Sequence, residues 1–332
     1  MPHGSTALLP VSTLHRRFLC RPMTQDDVAA VNHVAVDAHY DDGEANFRLY
    51  LQIPSFSWNV VVERQQGTIV AFEGISRFKF TSDEDGSDAD DVNFGFMICT
   101  RNEYRSLGVT RLFPERSRFI ANVTNDSIVR YGKTFQCWKH KTIGFVGIID
   151  PKSLCQTISA LKSTNSGKIS LHAVDKITIL NTENYDKALK YDEMLTSNAF
   201  QRNGFLKQWM LPTEHSGGVA RSAVALDSIS NPVGIACLRK RNDDWILSPC
   251  YANSSRTALE LIAKLLLQFS GRTEIYFSTH SQCDAMLRFA AMFKFNVCDC
   301  FVHCIPDIAA VDNFYSRLPS DKVFTFLEMY PI

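Results

Sequence analysis

The stretch ICTRNEYRSLGVTRLF, Ile98 to Phe113, sets an Arg, a Ser and a lone Gly between an apolar run and a segment of helical spacing. Val109, Leu112, Arg116 and Phe119 or Ile120 recur at helical intervals, so a helix is expected to begin near Ser106 to Val109. The first N–H groups of a helix have no partner within it, and here they would point out of the loop Arg105, Ser106, Leu107 and Gly108. Successive amides with a helix dipole behind them can hold phosphate or pyrophosphate oxygens. Gly108 would let such a ligand reach the backbone without meeting a Cβ. An ordinary loop capped by Ser106 accounts for the same residues.

Other side chains are candidates for proton transfer or metal binding. Glu73, in IVAFEGIS, lies in a strand-like run where partial burial would make it a better base; a structural pairing with Arg77 or Arg101 is the alternative. Cys137 and His140 stand three apart and, on a helix, would form a nucleophile pair or a packing pair. Cys298, Cys300, His303 and Cys304 offer four metal-capable groups. Structural zinc sites join two separated pairs, however, and a strand puts Cys298 and Cys300 on one face, so buried reduced cysteines and no metal are expected.

The elements that must position these groups can be traced outward. FLCRPMTQDDVAAVNHVAVDAH reads as a short strand and a helix, with Thr24 as N-cap and Asp26 and Asp27 in the first turn. WNVVVERQQGTIVAFEGISRFKF reads as a hairpin turning at Gln65, Gln66 and Gly67. The acidic TSDEDGSDADD is a solvated loop or a cation-attracting rim. VNFGFMICT, apolar through most of its length, is a strand covered on both faces.

The whole chain narrows the setting. At 332 residues and 45% hydrophobic it can bury a sizeable core, and its length suggests two domains. Lys plus Arg equals Asp plus Glu at 35 each. No broad basic field therefore selects nucleic acid or an anionic membrane. No apolar run is long enough to cross a bilayer, the N-terminus has no signal-peptide pattern, and ten Cys follow no framework spacing; a cytoplasmic protein is expected.

EYRSLGVTRLF resembles the acyl-CoA-binding motif of the GCN5-related N-acetyltransferase (GNAT) superfamily. Arg105 and Gly108 match, and Thr110 replaces the last small residue of the pattern. The resemblance implies that Arg105, Ser106, Leu107, Gly108, Val109 and Thr110 meet the pyrophosphate, and that the strand before them binds the pantetheine arm through Met97, Ile98 and Cys99. TFQCWKHKTIGFVG looks like the family's later helix, ending at Gly144 and Phe145. There His140 takes the place of a Tyr that protonates the departing thiolate. The likeness spans residues 15–150, and PKSLCQTISALKSTNSGK, 151–168, reads as a linker.

Residues 169–332 repeat the order of elements. They look like the C-terminal domain of YitH-type proteins and of a nematode group labelled as a domain of unknown function, through Tyr191, Asp192, Arg202, Phe205 and Leu206. ANSSRTAL stands where the first half has its glycine loop, with Asn253 or Ser254 suited to capping a helix. Asp192 and Arg202 would form an ion pair or touch an acceptor. The expectation is a mixed α/β sheet in two tandem GNAT-like acyl-CoA N-acyltransferase domains, the second degenerate. The first would bind acetyl-CoA, or another acyl-CoA, and pass the acyl group to a small-molecule amine or a peptide or protein lysine by direct attack. The alternatives are a non-catalytic acyl-CoA-binding or interaction protein and a ligand-free scaffold.

Overall fold

A computed structural model describes residues 8–38, 40, 42–79, 91–114, 119–124, 136–164, 174–196, 203–211, 219–305 and 319–326. The acidic tract lies mostly outside them, and so does Arg202.

The first half opens with helix α1 (Val11–Arg17) and strand β1 (Phe18–Pro22). Helix α2 (Val28–Asp37) follows a short turn in which the Asp27 carboxylate accepts from the Thr24 N–H at 2.8 Å and from both Nη atoms of Arg21 at 2.6 and 2.8 Å. Thr24 thus caps a 3-10 turn, Gln25–Asp27, and α2 begins after Asp27, whose carboxylate bonds donors outside the helix. Helix α2 buries Val28, Val31, Val34 and Ala35, the spacing of one helical stripe. Helix α3 (Glu44–Tyr50) leads into the hairpin β2 (Phe56–Glu63) and β3 (Thr68–Lys79), then β4 (Asp91–Thr100) and β5 (Phe119–Thr124).

Three segments differ from expectation. The helix expected over 109–120 is a 3-10 turn, Val109–Leu112, after which Phe113 is extended. Pro114 has no N–H to continue a helix, and its ring disfavours helical geometry in the residue before it. The run containing Cys137 and His140 is strand β6 (Gln136–Ile149), not a helix. The helical spacing that would have set Cys137 and His140 side by side is therefore absent. The expected linker is largely helix α4 (Pro151–Thr164), begun by Pro151 after an Asp150 that accepts from the N–H groups of Lys152 and Ser153.

The second half repeats the plan with β7 (Lys176–Ile179), α5 (Tyr185–Leu195), α6 (Asn203–Met210), β8 (Ala220–Leu226), β9 (Pro232–Arg241) and β10 (Asp244–Ala252). Helix α7 (Ser255–Leu266), β11 (Thr273–His280), α8 (Asp284–Met292), β12 (Asn296–Ile305) and β13 (Val323–Thr325) complete it.

Every described strand joins one sheet in the order β1-β2-β3-β4-β5-β12-β6-β11-β10-β9-β8-β7, with β13 paired to β10. The centre holds an exchange. Strand β12 of the second half lies between β5 and β6 of the first, while β6 of the first lies between β11 and β12 of the second. Each half completes its sheet with the other's strand.

Helices α2, α3, α5 and α6 contribute to one core that spans both halves. Tyr50 stacks on Trp209 at 6.2 Å between centroids and Phe56 on Phe205 at 5.3 Å. A polar chain crosses the same boundary. Tyr50 donates to Asp42 at 2.6 Å, and buried Arg239 donates to Asn46 at 2.9 Å and to the Trp209 carbonyl at 3.2 Å. Burial pushes the Asp42 carboxyl up from its ordinary range, opposed by Arg241, the Tyr50 hydroxyl and Arg239. A second core lies mainly within the second half, and a third, smaller one packs α1 and the Val109–Leu112 turn on the first half. Among the described residues no helix is long and apolar enough to cross a membrane.

Candidate functional site

Strands β4 and β5 run parallel, and their ladder covers Asn93–Phe119, Phe94–Ile120 and Gly95–Ala121. Beyond Gly95 the two part. Among the described residues β4 continues against β3 alone, through Met97–Gly74 to Thr100–Ala71, while β5 turns its other edge to β12. Phe96 is the extra residue of a bulge between Gly74 and Ile75, and a bulge turns a strand away from its neighbour. One edge of Met97, Ile98, Cys99 and Thr100 therefore opens into a V. Backbone N–H and C=O groups on such an edge suit an extended ligand that can pair as a strand does.

The loop at the open end of the V runs from Arg101. A 3-10 helix, Asn102–Leu107, ends at Gly108 with φ 79°, and the Val109–Leu112 turn follows. A left-handed backbone explains the Gly. With only four residues after it, the loop has no α-helical dipole behind it, unlike the helix start expected from spacing. Positive charge comes from side chains instead. Arg105 is exposed and donates to the Thr100 carbonyl at 3.1 Å; Arg111 donates to the Leu9 carbonyl at 3.1 Å. Ser106 is exposed and Thr110 half-buried, while the Val109 side chain turns into the third core, leaving only its backbone for a ligand. The N-terminal segment lies against the loop. Leu9 donates to the Leu107 carbonyl at 3.4 Å, and a Cβ on Gly108 would stand 3.1 Å from Leu8 Cδ2.

A cleft of about 430 Å³ lies at the other, paired end of the V, along the start of β2, the end of β3 and the start of β4. Met23, Leu51, Phe56, Trp58 and Ile75 give it apolar walls, and Ser57, Asn59, Arg77 and Asn93 its polar groups. Register connects it to the V: Ile75 stands opposite Gly95, the last residue paired to β5, and Arg77 opposite Asn93. Glu73 lies two residues back on the same face of β3, is 0% exposed and accepts from Asn59 Nδ2 at 3.2 Å. The carboxylate is thus one hydrogen bond behind a wall of the cleft.

Nucleophilic cysteine chemistry finds no support beside it. Burial pushes the Cys99 thiol up to about 12, against the pull of Arg105, and burial with the Glu73 charge pushes Cys20 up to about 11. Both stay protonated near neutral pH.

The second half carries the same V in a different state. Strands β10 and β11 pair in parallel only at Trp245–Ile275 and Ile246–Tyr276, and β10 has an irregularity between Leu247 and Cys250 where β4 has its bulge. This V is filled. β13 lies along β10 at Cys250–Thr325 and Tyr251–Val323, and the Phe326 N–H reaches the Ser278 carbonyl of β11 at 3.1 Å. At its mouth Ser254 caps α7 by accepting from the Thr257 N–H at 3.1 Å, the role expected of Asn253 or Ser254.

The remaining sequence candidates fall elsewhere. The His140 backbone lies on β6, three strands from β4 and so roughly 14 Å away by strand spacing. Asp192 is buried on α5, 2% exposed. Cys298 is exposed and Cys300 half-buried. Sequence reasoning missed Asn59, and it named Arg77 only as a pairing partner of Glu73, not as a residue of the cleft. It also missed β13, whose pairing has no local signal.

With this geometry in place, known proteins can be set beside the chain. A family model described as an acetyltransferase (GNAT) domain matches residues 188–304, from α5 to β12. Holothin acyltransferase of Pseudoalteromonas sp. (strain SANK 73390) is 25% identical over 103 residues, which span 31% of this chain and 32% of that protein. A solved Pyrococcus horikoshii protein assigned to the acetyltransferases is similar over 98% of both chains, with a TM-score of 0.63 at 12% identity. Saccharomyces cerevisiae N-myristoyltransferase with bound myristoyl-CoA covers 91% of this chain and 80% of its own, with a TM-score of 0.56 at 12% identity. A tandem GNAT protein from the clavulanic acid biosynthesis pathway covers 86% of this chain and 97% of its own, with a TM-score of 0.55 at 13% identity. The fold is that of two tandem GNAT-like halves in a mixed α/β arrangement.

Proposed function

We propose that the chain is an acyl-CoA-dependent N-acyltransferase whose first half holds acetyl-CoA, or another acyl-CoA, and whose acceptor is a primary amine. The observation that carries this reading is the contrast between the two Vs. Among the described residues the β4 edge is open past its bulge and beside an Arg-bearing loop, whereas the β10 edge is taken by β13. The residues present suit the cosubstrate. Main-chain groups of Met97, Ile98 and Cys99 would pair with the pantetheine amides, and Arg105 with the amides from Ser106 to Thr110 would meet the pyrophosphate.

Bound there, the cosubstrate supplies an activated thioester carbonyl near Gly95. The amine enters by the cleft, and its nitrogen attacks that carbonyl. A C–N bond forms and the C–S bond breaks; the proton lost by the amine passes to Glu73, directly or through water, and from there to the departing sulfur, which leaves as the free thiol. Asn59, which lines the cleft, donates to the Glu73 carboxylate behind it. The protonated Cys99 and Cys20 favour direct attack over an acyl-cysteine route. The described cysteines are all free, which suits the reducing cytoplasm expected for this chain.

A non-catalytic acyl-CoA-binding protein is the second reading, favoured by the complete burial of Glu73. Calorimetric titration with acetyl-CoA tests what the two share. One site per chain is expected, weakened at least about tenfold by Arg105→Glu with the melting temperature unchanged. No binding overturns both readings, and two sites overturn the assignment to the first half alone. Thiol release in the presence of amines then separates enzyme from sensor.

A further inference from the structure

Among the described residues that line the acceptor cleft, Arg77 alone carries a charge. The Arg77 backbone is fixed by its N–H donating to the Ser55 carbonyl at 2.7 Å, which pins the residue at the end of β3. Its guanidinium is exposed and has no hydrogen bond or ion pair among the described residues. Beside it stand the amide of Asn93, directly across the ladder, and the aromatic and aliphatic walls of Phe56, Trp58 and Ile75.

We infer that the acceptor amine carries its own carboxylate next to an apolar group, the chemistry of a free apolar amino acid, and that Arg77 is the residue that reads the carboxylate. The inference rests on the acyl-transfer reading and narrows its acceptor. A guanidinium presents a planar fork of donors that matches a carboxylate at two points, while it repels a second cation. Polyamines and lysine-rich peptides are therefore poor occupants. Placement agrees. Ile75 lies between Arg77 and Glu73 on one face of β3, so a carboxylate at Arg77 leaves the neighbouring amine near the level of Gly95, where the V closes. The volume, about 430 Å³, is within the usual range for a small ligand, roughly 300–1,000 Å³.

Matched amines test it. Phenylalanine and phenethylamine share a ring and an amine and differ by the carboxylate. Calorimetry on the CoA-saturated protein and thiol release from acetyl-CoA are run for both, in native protein and in Arg77→Met and Arg77→Lys. Native protein is expected to prefer phenylalanine about ten- to a hundredfold, in Kd and KM rather than kcat. Arg77→Met brings the ratio toward one, and Arg77→Lys restores part of it. Equal turnover of both amines by native protein overturns the acceptor class and leaves acyl transfer standing. Tight phenylalanine binding without thiol release sustains the class and overturns the transfer. No phenylalanine binding, or an unchanged ratio in Arg77→Met, overturns the inference.

Discussion

Thr325 lies opposite Cys250 in an antiparallel ladder, inside the gap that opens where β10 and β11 part after Ile246 and Tyr276. A segment distant in sequence thus occupies in the second half the position that no described residue fills in the first. The neighbours of Thr325 anchor it on both sides of the sheet, Phe324 in one core and Phe326 in another.

Phe324→Ala is accordingly expected to cost about 3–5 kcal/mol in urea denaturation. Acetyl-CoA affinity measured by calorimetry should change less than about twofold, because the ligand is assigned to the other V. A large loss of affinity would show that the β10 gap takes part in binding.

Gly43→Ala should destabilise the chain by about 1–3 kcal/mol. Gly43 has φ 81°, and an added Cβ would meet the Asn242 side chain across the boundary between halves. Asn242, itself at φ 49°, can be replaced by Gly with little strain. Thermal denaturation of the double variant should recover the steric part of the loss and leave the backbone part. Additive losses would mean that the two residues do not touch.

The Arg21 guanidinium, with help from the Thr24 N–H and hydroxyl, holds the Asp27 carboxyl down at about 2. A carboxylate depressed in the folded state contributes stability above its unfolded pKa, near 3.9, and loses it as pH falls toward 2. Asp27→Asn should therefore cost about 1 kcal/mol at pH 7, the order of the net contribution of a hydrogen bond, here those from Arg21. The gap between the two proteins should close as pH falls through that window. A gap independent of pH would assign the loss to packing.

Glu73→Gln keeps an oxygen to accept from Asn59 but cannot take a proton. Turnover should fall about 10²- to 10⁴-fold with the Kd for acetyl-CoA unchanged. Full activity in the variant would make Glu73 a structural carboxylate.

Patterns of short range were legible in the chain. Thr24 and Asp27 marked the 3-10 turn that leads into α2, Gly67 lay in the hairpin turn, and the Val92–Thr100 run was a strand. The repeated order of elements announced the tandem fold. What escaped was set by partners far away. The Gln136–Ile149 run becomes a strand because β11 and β12, both from the second half, pair along its two edges. Helix propensity at Val109–Leu112 yields to Pro114 and to the demand that Phe119–Thr124 reach β4 and β12. For the site, Glu73 and the loop at Gly108 could be named from residue type and family likeness, while the cleft required the ends of three strands to be brought together.

The exchange of β6 and β12 has a thermodynamic side. Two separate chains that completed each other's sheets in this way would hold together only above their dissociation constant, and dilution would part them. Here both partners are on one polypeptide, so each strand meets its slot at an effective concentration fixed by the length of the connection rather than by the amount of protein. The sheet is therefore complete at any dilution, and the V between β4 and β5 keeps its shape when the molecule is alone.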